Sequence, residues 1–494
     1  MKVSVLLVPL GASLLLCSCL VGPTYQRPSA PMTPAYKEPP PVSYGESKDW
    51  TQAQPSDTAD RGKWWTVYND PALNALEEQV AISNQNLKAF EAQYQEARDI
   101  VRIARSALRP TITVGPSITG SGSGTGTFST GSGTAVQSSS KTAALFYLPA
   151  DISWTADIWG SIRRTVRADT ATAQATAAQL ANARLSYQAD VAVDYFALHG
   201  LDANQDLLER TVKSYAEYLQ LTRDRFDAGV ASDADVAQAE AQLEGARASL
   251  VEIGVSRSAY EHAIAVLIGK PPATFSLERA IRTEPPPKIP EGVPSTLLQR
   301  RPDIAQYERQ VAAANEEIGV AKAAYYPTLS LSASAGLQST SIANWFTWPA
   351  RFWSVGPAFS ETVYEGGRRR AQVAEAQHAY DAAVANYRQT VLTAFQQVED
   401  NMAALRVLEN EQTVEARAVA AASRSLDVST EQYQAGTVNY LNVLSAQTIV
   451  FSDQLALLDI QTRRLTSSVS LIEALGGGWD AATLPSAQEI ARGK

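Results

Sequence analysis

The stretch "RFDAGVASDADVAQAEAQ", Arg225–Gln242, recurs in outline as "QYQAGTVNYLNVLSAQ", Gln432–Gln447. Each reads as an aromatic residue, one spacer, Ala-Gly, a few small or polar residues, and then a fresh helical pattern. The two glycines, Gly229 and Gly436, stand 436 − 229 = 207 residues apart. Glycine suits the left-handed position that closes an α-helix. Three residues later, Ser232 and Asn439 are good N-caps for a returning helix. "SDAD", Ser232 to Asp235, reads as a capping box with Asp in place of Glu. Each stretch therefore predicts the tip of an α-hairpin, and the chain carries that tip twice.

The glycines belong to a longer duplication. Gly160 with Gly367, Phe226 with Tyr433, and Gly269 with Gly476 all keep the 207-residue offset. Upstream, "RPTITV" aligns with "YPTLSL", Pro110 on Pro327, at an offset of 217. The difference falls inside "TGSGSGTGTFSTGSG", which marks a longer loop in the first copy. Each copy reads helix, strand, loop, strand, long helix, corner, helix.

Lys2 and the apolar run Val3–Leu16 form a signal-peptide core, too short to span a bilayer. The run ends in "LCSC", which resembles the bacterial lipobox. Cys19 fits the modified position, with Ser18 before it and Leu16 three residues back, whereas Cys17 does not fit. Leu20, where the inner-membrane class usually has Asp, implies the outer membrane. Residues 20–60 hold eight prolines and read as an extended strap. No apolar run of 18 residues follows Leu20, so a membrane-spanning part is expected to be β.

Strands are expected at about 110–158 and 327–363, on period-two alternation. In "YLPADISWTADIW", Leu148, Ala150, Ile152, Trp154, Ala156 and Ile158 alternate with Asp151, Ser153, Thr155 and Asp157. In "PTLSLSASAGL", Leu329, Leu331, Ala333, Ala335 and Leu337 alternate with Ser, Thr and Gly. "PTITVGPSIT" supplies Ile112, Val114 and Ile118, and "FWSVGPAFS" supplies Trp353, Val355 and Phe359. Any one of these strands would fit a soluble half-buried sheet. Four together, beside a lipobox, read as barrel strands that face lipid outward.

Between the second strand of each copy and its corner there is no proline. Residues 161–228 hold one glycine, Gly200, and 368–435 hold none. A helix of ~68 residues is roughly 100 Å long. Positions 168, 171, 175, 178, 182, 185, 189, 192 and 196 alternate in steps of three and four and are mostly alanine. That is a heptad seam suited to close helix packing. Shorter helices are expected at about 232–269 and 303–325, stacked end to end beside one long helix. Seven of the 25 prolines lie between Lys270 and Pro294, predicting a belt around the middle.

Composition narrows the function. Apolar residues make up 45% and charged residues 19%, so the chain folds. Its net charge of −9 argues against nucleic acid as a partner. His199, His262 and His378 are too far apart for metal spacing. The Gly/Ser run lacks the Gly-Lys-Ser/Thr of a phosphate loop and is read as an extracellular loop. No catalytic residue, metal or cofactor is expected beyond a covalent lipid on Cys19.

The expected fold is therefore mixed α and β: a transmembrane β-barrel continued by a long α-helical barrel, built by internal duplication. Four strands per chain cannot close a barrel, and open edges are forbidden in lipid. Three copies would give twelve strands and six α-hairpins. The expected division is signal peptide 1–18, strap 19–60, first repeat 61–269, connector 270–302, second repeat 303–477 and tail 478–494.

In "CLVGPTYQRP", "WW…DPALNAL", "RPTITV", "YPTLSL", "DIWG", the twin "AG" corners and the closing "ALGGGW", the chain resembles the TolC-like outer membrane factors, in particular their lipoprotein branch. The resemblance implies a homotrimeric duct through the outer membrane and periplasm. It further implies a periplasmic adaptor on the tips and an inner-membrane pump of the RND or related type. Efflux of small molecules outranks protein secretion, and a lipid-anchored coiled-coil scaffold is the remaining alternative.

The tips implied for docking are Phe226, Ala228, Gly229, Ala435 and Gly436. The resemblance also places the periplasmic gate at these tips, where the family latches an Asp in the first return helix to a Tyr and an Arg at the second corner. Asp235 and Tyr433 match, but the Arg position is Val438. Leu441 matches a pore-narrowing position, and Asn442 and Ser445 stand where the family has acidic residues. Asp235 also suits plain helix capping. Basic clusters Arg163, Arg164, Arg167 and Arg368, Arg369, Arg370 fall at the strand-to-helix junctions, where cations oppose the helix dipole. They are expected to meet lipid phosphates or acidic neighbours at the membrane face, or else water.

Overall fold

The computed structural model describes residues 20–39, 62–122, 142–282, 284–289 and 297–492. The signal peptide, Cys19, the second half of the strap and most of the Gly/Ser run lie outside the described residues.

Each half supplies a β-hairpin and a long α-hairpin. In the first half, α1 (Pro71–Ser83) and α2 (Gln85–Ser106) lead into β1 (Thr111–Val114), β2 (Ser117–Gly122) and β3 (Thr142–Ala156). Then come α3 (Ser161–Asp227) and α4 (Asp233–Leu267). The second half repeats this with α5 (Pro302–Ala323), β4 (Thr328–Ser339), β5 (Arg351–Ser360), α6 (Arg368–Gln434) and α7 (Tyr440–Ala474), before a short α8 (Ala487–Arg492). The two long helices are 67 residues each and the two return helices 35 each.

All strands join one antiparallel sheet, with β1 and β2 both pairing with β3, then β4, then β5. β1 and β2 are one strand interrupted at Gly115–Pro116, where proline cannot donate to the ladder. The register aligns the alternation across every strand. Ile112, Ile152, Ala333 and Val355 form one cross-strand row, and Thr113, Asp151, Ser334 and Ser354 form the adjacent one. One face of the sheet is thus apolar and exposed, with Trp353 at 79% accessibility, and the other is mostly small or polar, apart from Leu145 and a stacked Tyr147–Phe352 pair. Aromatic clusters bound it at both ends. Trp159 stacks on Tyr326 beside the helices, and Phe146 meets Trp345 at the far end.

The helices continue the sheet in the same order. α2 and α4 flank α3 on one side, α5 and α7 flank it on the other, and α6 packs on α5 and α7. Of the nine seam positions on α3, all but Asn182 are buried.

The end-to-end stacking differs from expectation. α4 abuts α2 of its own half, not the helix at 303–325, which abuts α7. The reason is carbonyl satisfaction at helix ends. Ser83 Oγ donates to the Ile268 carbonyl at 2.8 Å and Asn84 Nδ2 to that of Leu267 at 2.7 Å. In the second half Arg301 Nη1 donates to the Ala474 carbonyl at 2.9 Å.

Among the described helices α7 is long and apolar enough, by length and composition, to cross a membrane, although polar residues interrupt it throughout. It stays in the helical layer: Val443, Val450, Leu465 and Val469 are buried, and Arg464 pairs with Glu409 on α6. Its apolarity comes from serving two flanking helices.

Two extended segments are fastened across the layer. Residues 20–39 run from the strand–helix junction, where Val21 N–H donates to Trp159, down to Glu399 and Arg406 on α6. The proline-rich segment crosses α3 and α4. There Asp202 accepts from Arg257, His199 and the Ala280 N–H, and Arg279 pairs with Glu209.

Candidate channel wall and hairpin tips

Each tip is built by its glycine. Gly229 and Gly436 have φ of 74° and 73°, the left-handed region. Behind them the Val230 N–H donates to Arg225 C=O and the Thr437 N–H to Gln432 C=O, closing both long helices alike. Ser232 and Asp235 form the reciprocal capping box, with the Asp235 carboxylate accepting from Ser232 N at 2.9 Å and Ser232 Oγ at 2.8 Å. Asn439 makes no side-chain cap bond, contrary to its expected role. Phe226, Ala228, Gly229, Ala435 and Gly436 are exposed at the extreme end, as are Leu441, Asn442 and Ser445 on the first turns of α7.

The expected link between Asp235 and Tyr433 is not made. The Asp235 carboxylate is taken up by its own cap. The Tyr433 hydroxyl points instead to Thr222 Oγ1 on α3, at 3.5 Å. Tyr433 is 3% exposed, whereas its counterpart Phe226 is 43% exposed. Tyr433, Tyr440, Tyr215, Leu219, Leu243 and Val443 form a small core that joins the two tips. Burial pushes the Tyr440 hydroxyl up, and the neighbouring tyrosines and Asp235 add to it.

Sequence reasoning passed over Arg225. Its guanidinium lies over the Tyr433 ring, 4.6 Å from the centroid, and Nη1 donates to the Gln434 carbonyl at 3.1 Å. The available signal was asymmetry, since the matching residue in the second copy is Gln432.

The arginine clusters are resolved residue by residue. Arg164 is 2% exposed and does not face lipid. It pairs with Glu316 at 2.7 Å and donates to the Pro23 carbonyl at 3.1 Å, in a gap left by Gly22 and Gly319, where no Cβ would fit. Arg163 pairs with Asp157 at 2.8 Å, and that carboxylate also accepts the Ile162 and Arg163 N–H groups that open α3. Arg369 pairs with Glu361 and Glu365. Each cluster therefore brings the carboxylates that offset its unfavourable place on the dipole. Arg167, Arg368 and Arg370 are exposed.

At mid-height the wall is acidic and polar, which sequence reading missed. Asp190 lies nine residues before His199, about two and a half turns, and so faces away from the belt. Burial raises the carboxyls of Asp194 and Glu473, and Asp194 reaches about 6 with the charge of the exposed Asp190 adding to burial. Ser186 donates to Glu473 at 2.9 Å. A polar cleft of about 400 Å³ opens there, lined by Asn182, Ser186, Arg301, Gln397, Ser470 and Glu473. Among the described residues no cluster of His, Cys, Asp and Glu suits a metal ion.

A lipid-facing sheet whose strands run directly into a long helical layer defines an outer-membrane channel protein with a helical extension. A family model described as outer membrane efflux protein matches residues 76–270 and again 293–477. The chain belongs to that family, whose members are transport ducts rather than enzymes, and it is an outer-membrane exit component of an efflux system.

Among its relatives is the antibiotic efflux pump outer membrane protein ArpC of Pseudomonas putida, 31% identical over 467 residues and 94% of each chain. Outer membrane protein OprJ of Pseudomonas aeruginosa is 30% identical over 473 residues and 95% of each. The solved outer-membrane channel OprN superposes with a TM-score of 0.83 at 28% identity, covering 93% of this chain and 100% of that one.

Proposed function

We propose that three copies of this chain close into one duct that passively conducts small molecules from an inner-membrane pump to the exterior. One observation carries the reading. The sheet and the helical layer end on open edges at the same two sides, β1–β2 with α2 and α4 on one side and β5 with α6 on the other. An unpaired strand edge cannot stand in hydrocarbon, so β5 of one copy pairs with β1–β2 of the next. Twelve strands then enclose a lumen lined by the Ser, Thr and Gly face. The acidic side of α3, turned away from the belt, lines the helical duct below.

The exposed tips dock a periplasmic adaptor, which joins the duct to a pump of the RND or related type. A lipid on Cys19 would sit at the membrane face, because Leu20 rests against Gly160 at the base of the sheet. Relatives named for antibiotic and toluene efflux support small, largely apolar cargo. The test is the protein mass of the detergent-extracted assembly, corrected for bound detergent. A mass near three chains is expected. A single-chain mass would leave bare strand edges and overturn the reading.

A further inference from the structure

The two tips of one chain share a single cation. Arg225 sits in the last turn of α3, within the first corner, yet both of its partners belong to the second. One is the ring of Tyr433 and the other is the carbonyl of Gln434. A Cβ placed on Gly436 would lie 3.7 Å from Arg225 Nη2, so the guanidinium reaches the turn itself. Arg223, two residues earlier, is instead spent within its own hairpin on Glu240. Among the described residues no carboxylate pairs with Arg225.

We propose that Arg225 is the clasp that holds the two α-hairpin tips of one chain together and so sets how far the tips stand open. This rests on the channel reading above. A planar guanidinium suits the task because it lies flat on an aromatic face and still donates at its rim, which an ammonium does not do. The Tyr433 ring does the holding, since its hydroxyl reaches only Thr222 at the long limit of 3.5 Å. A contact present in one tip arrangement and absent in the other biases the population between them. Arg225 acts as a positioning residue, and it touches no solute.

The test is single-channel recording of the full-length protein in planar bilayers, with entry of a bulky antibiotic into cells as a second readout. R225A is expected to raise the occupancy of the high-conductance level about fivefold, the shift that one cation–π contact supports, and Y433L, which also opens the tyrosine core, by at least as much. The double variant should go no further than Y433L alone, because without the Tyr433 ring the Arg225 contact is already lost. Y433F should match the unsubstituted protein.

Unchanged occupancy in R225A overturns the clasp. A Y433F variant that leaks as much as Y433L also overturns it, because the hydroxyl would then be the holding group. R225Q, which keeps a donor and loses the charge, carries the test should R225A fail to insert, and occupancy like that of the unsubstituted protein in R225Q overturns the proposal. Failure of the unsubstituted protein to form channels would instead sink the duct reading, so the two failures are distinguishable.

Discussion

The two long helices, α3 and α6, have the same length and the same ends and live in different surroundings. Each starts after a left-handed glycine, Gly160 or Gly367, and stops before another. Yet α3 has 24 buried residues and α6 has nine. On α6, Tyr387, Val391, Ala394, Val398, Met402 and Leu405 make one buried stripe at spacings of three and four. Leu392, Val407, Val414 and Val428 are exposed. At 100° per residue these four fall within about 60° of one another, roughly opposite the buried stripe. Duplication thus produced one helix that is interior within the chain and one whose second face is left for a neighbour. The sheet repeats the lesson, with β3 and β4 central and β5 at the edge.

The largest effect should come from attacking that open face. Leu392→Asp with Val414→Asp is expected to drop the extracted mass from that of the proposed trimer to single chains while far-ultraviolet circular dichroism keeps its helical signal. Ala189→Asp with Ala192→Asp on α3 should abolish the helical signal itself, because both alanines are buried within the chain. An edge variant that still ran as a trimer would break the comparison between the helices.

The strand–helix junctions differ in the same sense. Arg164 and Glu316 are a buried pair, whereas Arg369 meets Glu361 and Glu365 where water still reaches. Glu316→Ala strands a buried cation and should cost ~3–5 kcal/mol. Arg369→Ala should cost ~1 kcal/mol or less. The check is the urea midpoint of the extracted protein, followed by tryptophan fluorescence. Arg164→Met with Glu316→Leu should recover most of the loss, since no lone charge is left behind. Equal costs at the two junctions would mean that burial does not separate them.

What was legible in the sequence is what depends on neighbours in the chain. Gly229 with Ser232 wrote the first corner. Period-two alternation wrote the sheet faces so well that Ile112, Ile152, Ala333 and Val355 fall in one row. The alanine seam on α3 was readable because packing of small residues follows the heptad alone. The rest depended on which distant ends meet. Ser83 and Asn84 look ordinary until they face the last carbonyls of α4, so the stacking partner was misread. Arg164 looked like a surface charge because nothing in an Arg-Arg pair reveals that Gly22 and Gly319 leave a gap for it. Asp235 and Tyr433 were legible as separate residues, but their partners, Ser232 and Arg225, are set by the cap and by the meeting of two tips.

The smallest expected effect separates the two corners. Ser232 accepts the Asp235 N–H through its hydroxyl and is tied back by the Asp235 carboxylate, whereas Asn439 makes no side-chain cap. Ser232→Ala should therefore cost ~1 kcal/mol locally, the usual size of a lost N-cap, and Asn439→Ala should cost only a few tenths. Global unfolding will not see this, because the tip opens without the rest of the layer. Amide hydrogen exchange over residues 233–243 and 440–450 will. The first segment should exchange about fivefold faster in Ser232→Ala, and the second should stay near its starting rate in Asn439→Ala. Equal acceleration in both would show that Asn439 caps its helix in solution. The second corner would then have gained its tyrosine core and the Arg225 contact without giving up the cap.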